Sequence, residues 1–153
     1  MKITLKSIAP DAYSIRAKGQ NIIEFANDAD PRDLNLAGID RIDLSFPKFT
    51  DGRAFSQAYL LRRRLQFKGE LRATGDVLID QLQQMQRCGF DSAVLRNDQC
   101  LAAAERQLHH ITGFYQGDAV HQQPPGLTQT IAYATNTANN ISPWHATTEG
   151  APQ

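Results

Sequence analysis

Between residues 39 and 111 the hydrophobic period changes repeatedly, and nothing else in the chain restricts its fold as much. Ile39-Asp-Arg-Ile-Asp-Leu44 alternates apolar and polar residues, the period of a strand. Phe55, Tyr59, Leu61 and Leu65 then recur at roughly helical spacing, predicting a helix over about 54–66. Phe67-Lys-Gly69 would close it, since glycine suits the left-handed position after a helix end. A short strand follows at 70–73, and Thr74-Gly75-Asp76 turns the chain, with Asp76 as N-cap of a helix over 77–88. Leu78, Leu82 and Met85 form its inward stripe, while Gln81, Gln83, Gln84 and Gln86 face outward. After Gly89 comes a third strand, 90–95, and Asn97-Asp98 caps a last helix with Leu101, Leu108 and Ile111 inward. Helices of about a dozen residues between strands imply parallel strands joined by right-handed crossovers. The expected class is therefore α/β, a small parallel sheet of successive strand–helix units.

The flanks read differently. Lys2–Lys6, Tyr13–Arg16 and Asn21–Phe25 are short alternating or apolar runs, and Gly19-Gln20 can turn the second into the third as a β-hairpin. Asp28-Ala-Asp-Pro-Arg-Asp33 is a turn cluster in which Pro31 disfavours helix at Asp30. These runs predict an N-terminal β-rich layer over 1–30 and an α/β core over 31–117. From 118 to 153 the chain holds no Lys or Arg and is rich in Thr, Asn, Ala and Gln, a composition that predicts a disordered tail. Trp144 is the one residue there suited to grip a partner.

Composition narrows the function classes. Sixteen basic residues balance sixteen acidic ones over 153 residues, which argues against bulk nucleic-acid or membrane binding. No apolar run approaches the ~20 residues of a spanning helix. The start, Met1-Lys-Ile-Thr-Leu-Lys6, does not read as a signal peptide. Cys88 and Cys100 have no metal or redox spacing, so a reduced, cytoplasmic protein is expected. Cys88 reads as a small buried hydrophobe, and Cys100 opens a helix, where a thiolate is better placed. There is no glycine-rich dinucleotide fingerprint, no phosphate loop and no iron–sulfur spacing. No cofactor or metal is therefore expected; Glu105 and His109 share a helix face but make only a weak pair of ligands.

The candidate site is the edge where the strands end. Ligands of open α/β sheets usually bind there, and helix N-termini at that edge favour anions. Phe46-Pro-Lys-Phe-Thr-Asp-Gly-Arg53 forms the first loop, shaped by Pro47 and Gly52. It brings Lys48, Asp51 and Arg53 to the edge, joined by Arg72 near the end of the second strand, Asp76 on the second loop and Arg96 after the third strand. Arg53 and Arg72 can grip an oxyanion or carboxylate bidentately; alternatively Arg72 pairs Asp51 or Asp76 and braces the loops. Asp51 and Asp76 are the candidates for a general acid–base pair. Arg62-Arg-Arg64 reads as a solvated face complementing the helix dipole.

Several blocks follow one another at close intervals: Phe46–Arg53, Gly69-Glu-Leu-Arg-Ala73, Gly75-Asp-Val-Leu78 with Asp80-Gln81, Arg87-Cys-Gly-Phe-Asp91, and Phe114-Tyr-Gln116. Their order and spacing resemble a bacterial family of unknown function, often encoded beside sulfite or nitrite reductase genes, over about residues 39–117. The resemblance implies a cytoplasmic accessory role in assimilatory sulfur metabolism. Some members carry an oxidoreductase label. The chain's own residues leave two readings open: an accessory protein binding an anion, the reductase or its electron donor at the strand edge, and a small enzyme acting on an oxyanion or phosphorylated metabolite.

Overall fold

The computed structural model describes residues 5–10, 20–110 and 116–121. Its strands are β1 (Lys6–Ile8), β2 (Ile22–Phe25), β3 (Arg41–Phe46), β4 (Glu70–Gly75) and β5 (Ser92–Val94); its helices are α1 (Arg53–Arg63), α2 (Leu82–Cys88) and α3 (Leu101–His110). One sheet holds all five strands in the order β1-β5-β4-β3-β2, every pairing parallel. The α/β class read from the changing hydrophobic period is the class observed.

Each step from β2 to β5 moves to the adjacent strand in one direction. With right-handed crossovers this puts the helices on one face, and α1 packs on α2 and α2 on α3. Ile42, Leu44 and Phe46 of β3, Leu71 and Ala73 of β4 and Ala93 of β5 face them, with Ala54, Ala58, Leu61, Leu82, Met85 and Ala104 on the helix side, all fully buried. Phe46, Phe55 and Phe90 meet at the centre with ring centroids 5.0–6.4 Å apart.

The N-terminal strands differ from the expected hairpin layer. β1 and β2 are the two edges of the sheet, β1 along β5 and β2 along β3. Three parallel strands leave a row of unpaired backbone groups on each side, and these two short strands cover them. Nothing in a three- or four-residue run encodes which edge it joins. The other arm expected of the hairpin, 13–16, lies outside the described residues, as do Ile111 and residues 122–153. Residues 116–121 fold against the end of α2: the Ala119 N–H donates to the Arg87 carbonyl at 2.9 Å, and the buried Asp118 carboxylate accepts from the Val120 N–H at 2.8 Å.

Local corrections have local causes. α1 ends at Arg63, and the residue with positive φ after it is Gln66, not Gly69. Gly69 is needed for close approach instead, since a Cβ there would overlap the Phe67 ring and the Asp40 carbonyl. Val77 and Leu78 are outside any helix, with Leu78 extended, so Asp76 caps no helix; a one-turn 3₁₀ helix, Ile79–Gln81, leads into α2. Gln81 is buried, not outward, because its side-chain oxygen accepts from the Leu78 N–H at 3.0 Å. Leu101 is exposed, and Ala104 with Leu108 faces inward in its place. Tyr59 is exposed as well.

Arg62 departs furthest from its expected place. Its side chain is only 9% exposed and donates at 2.8 Å to each of three carbonyls, Phe67, Gly69 and Gly89, besides pairing with the Asp91 carboxylate. Its guanidinium also lies 5.8 Å from the Phe67 ring centroid. The end of α1 is thereby tied to the start of β4 and the turn before β5.

Candidate functional site

The loops that follow β2, β3, β4 and β5 share one edge, as parallel strands require. After β3, the turn at Lys48 closes when the Asp51 N–H donates to its carbonyl at 3.0 Å. Gly52 has φ −90°, so it serves here as the residue preceding α1 and not as a positive-φ position. Gly75, at φ +95°, does need to be glycine: a Cβ would overlap the Phe46 carbonyl of the neighbouring strand. That carbonyl instead accepts from the Asp76 N–H at 2.7 Å.

Carboxylate–guanidinium contacts stitch the loops together. Asp76 accepts from the Phe49 N–H through Oδ2 at 2.8 Å and from Arg96 Nη1 through Oδ1 at 2.7 Å. Arg96 also grips Asp98 with Nε and Nη2, both at 2.7 Å. Asp51 accepts from Arg53 Nε at 3.0 Å, from Arg53 Nη2 at 2.7 Å and from Asn27 Nδ2 at 2.6 Å, which brings in the loop after β2. The hydrogen bonds from Arg53 hold the Asp51 carboxyl well below the usual carboxylate range, although desolvation works against them. Hydrogen bonds from Arg96 do the same for Asp98.

Five of the six residues expected at the edge are there: Lys48, Asp51, Arg53, Asp76 and Arg96. Arg72 is not. It sits within β4 on the face turned away from the helices, where Nη2 pairs with Glu70 at 3.0 Å and Nε donates to Ser92 Oγ at 3.1 Å. Arg53 and Arg72 are therefore not brought together as one clamp. Neither Asp51 nor Asp76 partners Arg72 in bracing the loops; Asn27 on Asp51 and Arg96 on Asp76 supply that bracing, while Arg53 pairs with Asp51 within its own loop.

The face that holds Arg72 carries a charged ladder, buried at Arg41 and Asp43 and partly buried at Glu70 and Arg72, of which only Arg72 belonged to the expected site. Arg41 and Asp43, 4% and 3% exposed, stand beside Glu70 and Arg72 on the next strand, in the register Arg41↔Glu70 and Asp43↔Arg72. Arg41 Nε lies 2.8 Å from Asp43 Oδ1 but off the N–H direction, so the pair is a charge contact whose one hydrogen bond is Nη2–Oδ2 at 3.3 Å. Burial pushes the Asp43 carboxyl up, and Arg41 draws it back only in part. Burial pushes Glu70 up too, yet hydrogen bonds from Ser92 and Arg72 outweigh it and leave that carboxyl below its ordinary value. The sequence did hold a signal for this ladder, opposite charges two residues apart on two strands.

Two features of the edge also lay beyond sequence reasoning. Phe49 is 43% exposed at the tip of the braced loop, next to the exposed Lys48. Away from it, residues 27–32 and the first turns of α1 line an open cleft of about 320 Å³. Among the described residues, no three His, Cys, Asp or Glu side chains are grouped to hold a metal ion, and no helix is long and apolar enough to cross a membrane. His109 Nδ1 contacts the Glu105 backbone carbonyl at 2.8 Å.

Fold and edge together define a small parallel α/β domain whose strand ends are locked into one multi-loop surface. The chain belongs to a family described as bacterial proteins of unknown function (DUF934), whose model matches residues 22–125, well over half of the chain. No curated protein and no solved structure matches it.

Proposed function

We propose that this protein is an accessory factor of assimilatory sulfite (or nitrite) reduction that docks on the reductase, or on its electron donor, through the edge formed by the loops after β3, β4 and β5. The observation that carries the reading is Phe49. Its N–H is held by Asp76 at 2.8 Å and its carbonyl by Gln81 Nε2 at 3.4 Å, while the residue is left 43% exposed. A rigid loop that presents an aromatic ring beside a lysine has the character of an interface hot spot, with the ordering entropy already spent. The resemblance of the Phe46–Arg53 block to a family encoded beside reductase genes supports the pathway and a cytoplasmic location.

The edge geometry lends less support to a small enzyme. A general base needs a lone pair free for the substrate proton. Both oxygens of Asp51 accept two hydrogen bonds each, from the Arg53 backbone and side chain and from Asn27, and that carboxyl is held at low basicity; Asp76 keeps a lone pair on each oxygen but is left without Asp51 as its acid–base partner.

Affinity capture from cells grown on sulfate as sole sulfur source tests the reading. The native protein should retain the reductase or its donor, and Phe49→Ala combined with Lys48→Gln should lose it without loss of fold, since both side chains are exposed. Capture of neither partner, or equal capture by the double variant, would sink the proposal.

A further inference from the structure

The cleft of about 320 Å³ beside α1 is at the low end of ligand-site volumes and is independent of the Phe49 surface. Its lining carries two carboxylates, Asp28 and Asp30, and two guanidiniums, Arg32 and Arg53. Asp30 engages Arg32 through Nε and Nη2, and Asp51 engages Arg53 through the same edge of its fork. Each guanidinium is thus oriented by a carboxylate yet keeps Nη1 without a hydrogen-bond partner among the described residues. The N-terminus of α1 lies at the same place, where Asp51 Oδ1 already accepts from the Arg53 N–H at 3.2 Å.

A second, independent observation is Gln57, which lines the cleft and is only 6% exposed. Its Nε2 donates to the Ala26 carbonyl at 2.9 Å and the Ala29 carbonyl at 2.8 Å. Two carbonyl partners fix which end is the amide nitrogen, so the unpartnered atom is the oxygen. Among the described residues this buried Oε1 has no donor. An orphaned buried acceptor is costly to keep, and a ligand donor that reaches it removes the cost.

We propose that this cleft binds a small zwitterion, an oxyanion that also bears an amino group: the oxyanion at the Nη1 groups of Arg32 and Arg53, the amino group at Gln57 Oε1 and Asp28. A lining of balanced charge suits a ligand carrying both signs and no net charge. A carboxylate or a sulfonate satisfies the anion end equally.

Amide NMR titrations of the whole chain with taurine and β-alanine test this, with ethanesulfonate as the match lacking an amine and ethylamine as the match lacking an oxyanion. At least one zwitterion should shift amides within 27–32 and 53–57, and ethanesulfonate should bind roughly tenfold more weakly. Arg32→Gln and Arg53→Gln should each weaken binding by about tenfold while the melting temperature holds, because both side chains are largely exposed. No shift with either zwitterion, shifts confined to other residues, unchanged affinity in the arginine variants, or ethanesulfonate binding as tightly would each overturn the assignment. Because Gln57 variants risk misfolding, the comparison between ligands, made on the native chain, carries the test of the donor end.

Discussion

Replacing Arg62 by Met keeps most of the stem that lies against Gly89 but deletes the guanidinium, and the loss can be sized from its contacts. Three carbonyls, of Phe67, Gly69 and Gly89, lose a charged donor at 2.8 Å, and the half-buried Asp91 loses its counter-charge. Each stranded carbonyl costs about 1 kcal/mol, at the low end because water can refill part of the space. The carboxylate adds about 1 kcal/mol, limited because it keeps the Leu71 N–H at 2.8 Å. Burial disfavours the Arg62 charge, so its removal returns some of this. The net expectation is a loss of about 3–4 kcal/mol, a large share of the ~5–15 kcal/mol that holds a domain together. Urea denaturation followed by circular dichroism should show it, with a melting temperature lower by roughly 10–15 °C. Arg64→Met, on the exposed end of the same run, should change stability by less than about 0.5 kcal/mol. An Arg62→Met protein within about 1 kcal/mol of the native one would refute the view of Arg62 as the tie between α1, β4 and the turn before β5.

Gly75→Ala should cost more than about 1 kcal/mol in urea melts, because its Cβ meets the Phe46 carbonyl at a backbone angle few side chains adopt; unchanged stability would remove that constraint from the edge. Burial pushes the Cys88 thiol up to about 11, whereas the N–H groups of Ala103 and Ala102 lower that of the exposed Cys100. Iodoacetamide near pH 8 should therefore label Cys100 first by a wide margin, and equal labelling would contradict the burial of Cys88. The folded pKa of Asp43 lies above its unfolded value, so its ionisation costs stability as pH rises through the folded pKa. Asp43→Asn should remove that decline from urea midpoints taken between about pH 4 and 7, and an identical pH slope would show that the shift has no thermodynamic weight.

The parallel core was legible because its signals are local: alternation over Ile39–Leu44, helical spacing behind it, and Gly89 at a helix end. The edge was legible for the same reason, since parallel strands force their loops together. What escaped depends on partners distant in sequence. Arg62 reads as one of three solvated arginines until the turn at Gly69 and the one at Gly89 arrive to surround it. Asp76 reads as an N-cap, but the Phe49 N–H, 27 residues earlier, takes its carboxylate, and α2 starts only at Leu82. Arg72 looked like a strand-end residue because β4 was expected to stop at Ala73, whereas it runs on to Gly75. The cleft needs Gln57 to reach the carbonyls of Ala26 and Ala29, about thirty residues back, a contact no short motif encodes.

The charged ladder also bears on why the sheet takes one register. A slip of one residue between β3 and β4 would turn Ile42 and Leu44 out of the core, so the apolar alternation already forbids it. A slip of two residues keeps every apolar side chain on the correct face, and the apolar pattern cannot oppose it. The charges can. In the observed register, Arg41 stands opposite Glu70 and Asp43 opposite Arg72, so opposite signs meet across the strands as well as along them. Moving one strand by two residues sets Arg41 against Arg72, or Asp43 against Glu70, in a buried place where like charges are costly. The ladder adds little net stability, because burying Arg41 and Asp43 and partly burying Glu70 and Arg72 costs about what their pairing returns. It penalises the one misalignment that hydrophobicity tolerates, and so keeps the β3 and β4 loops, with Phe49 and Asp76, in step at the edge.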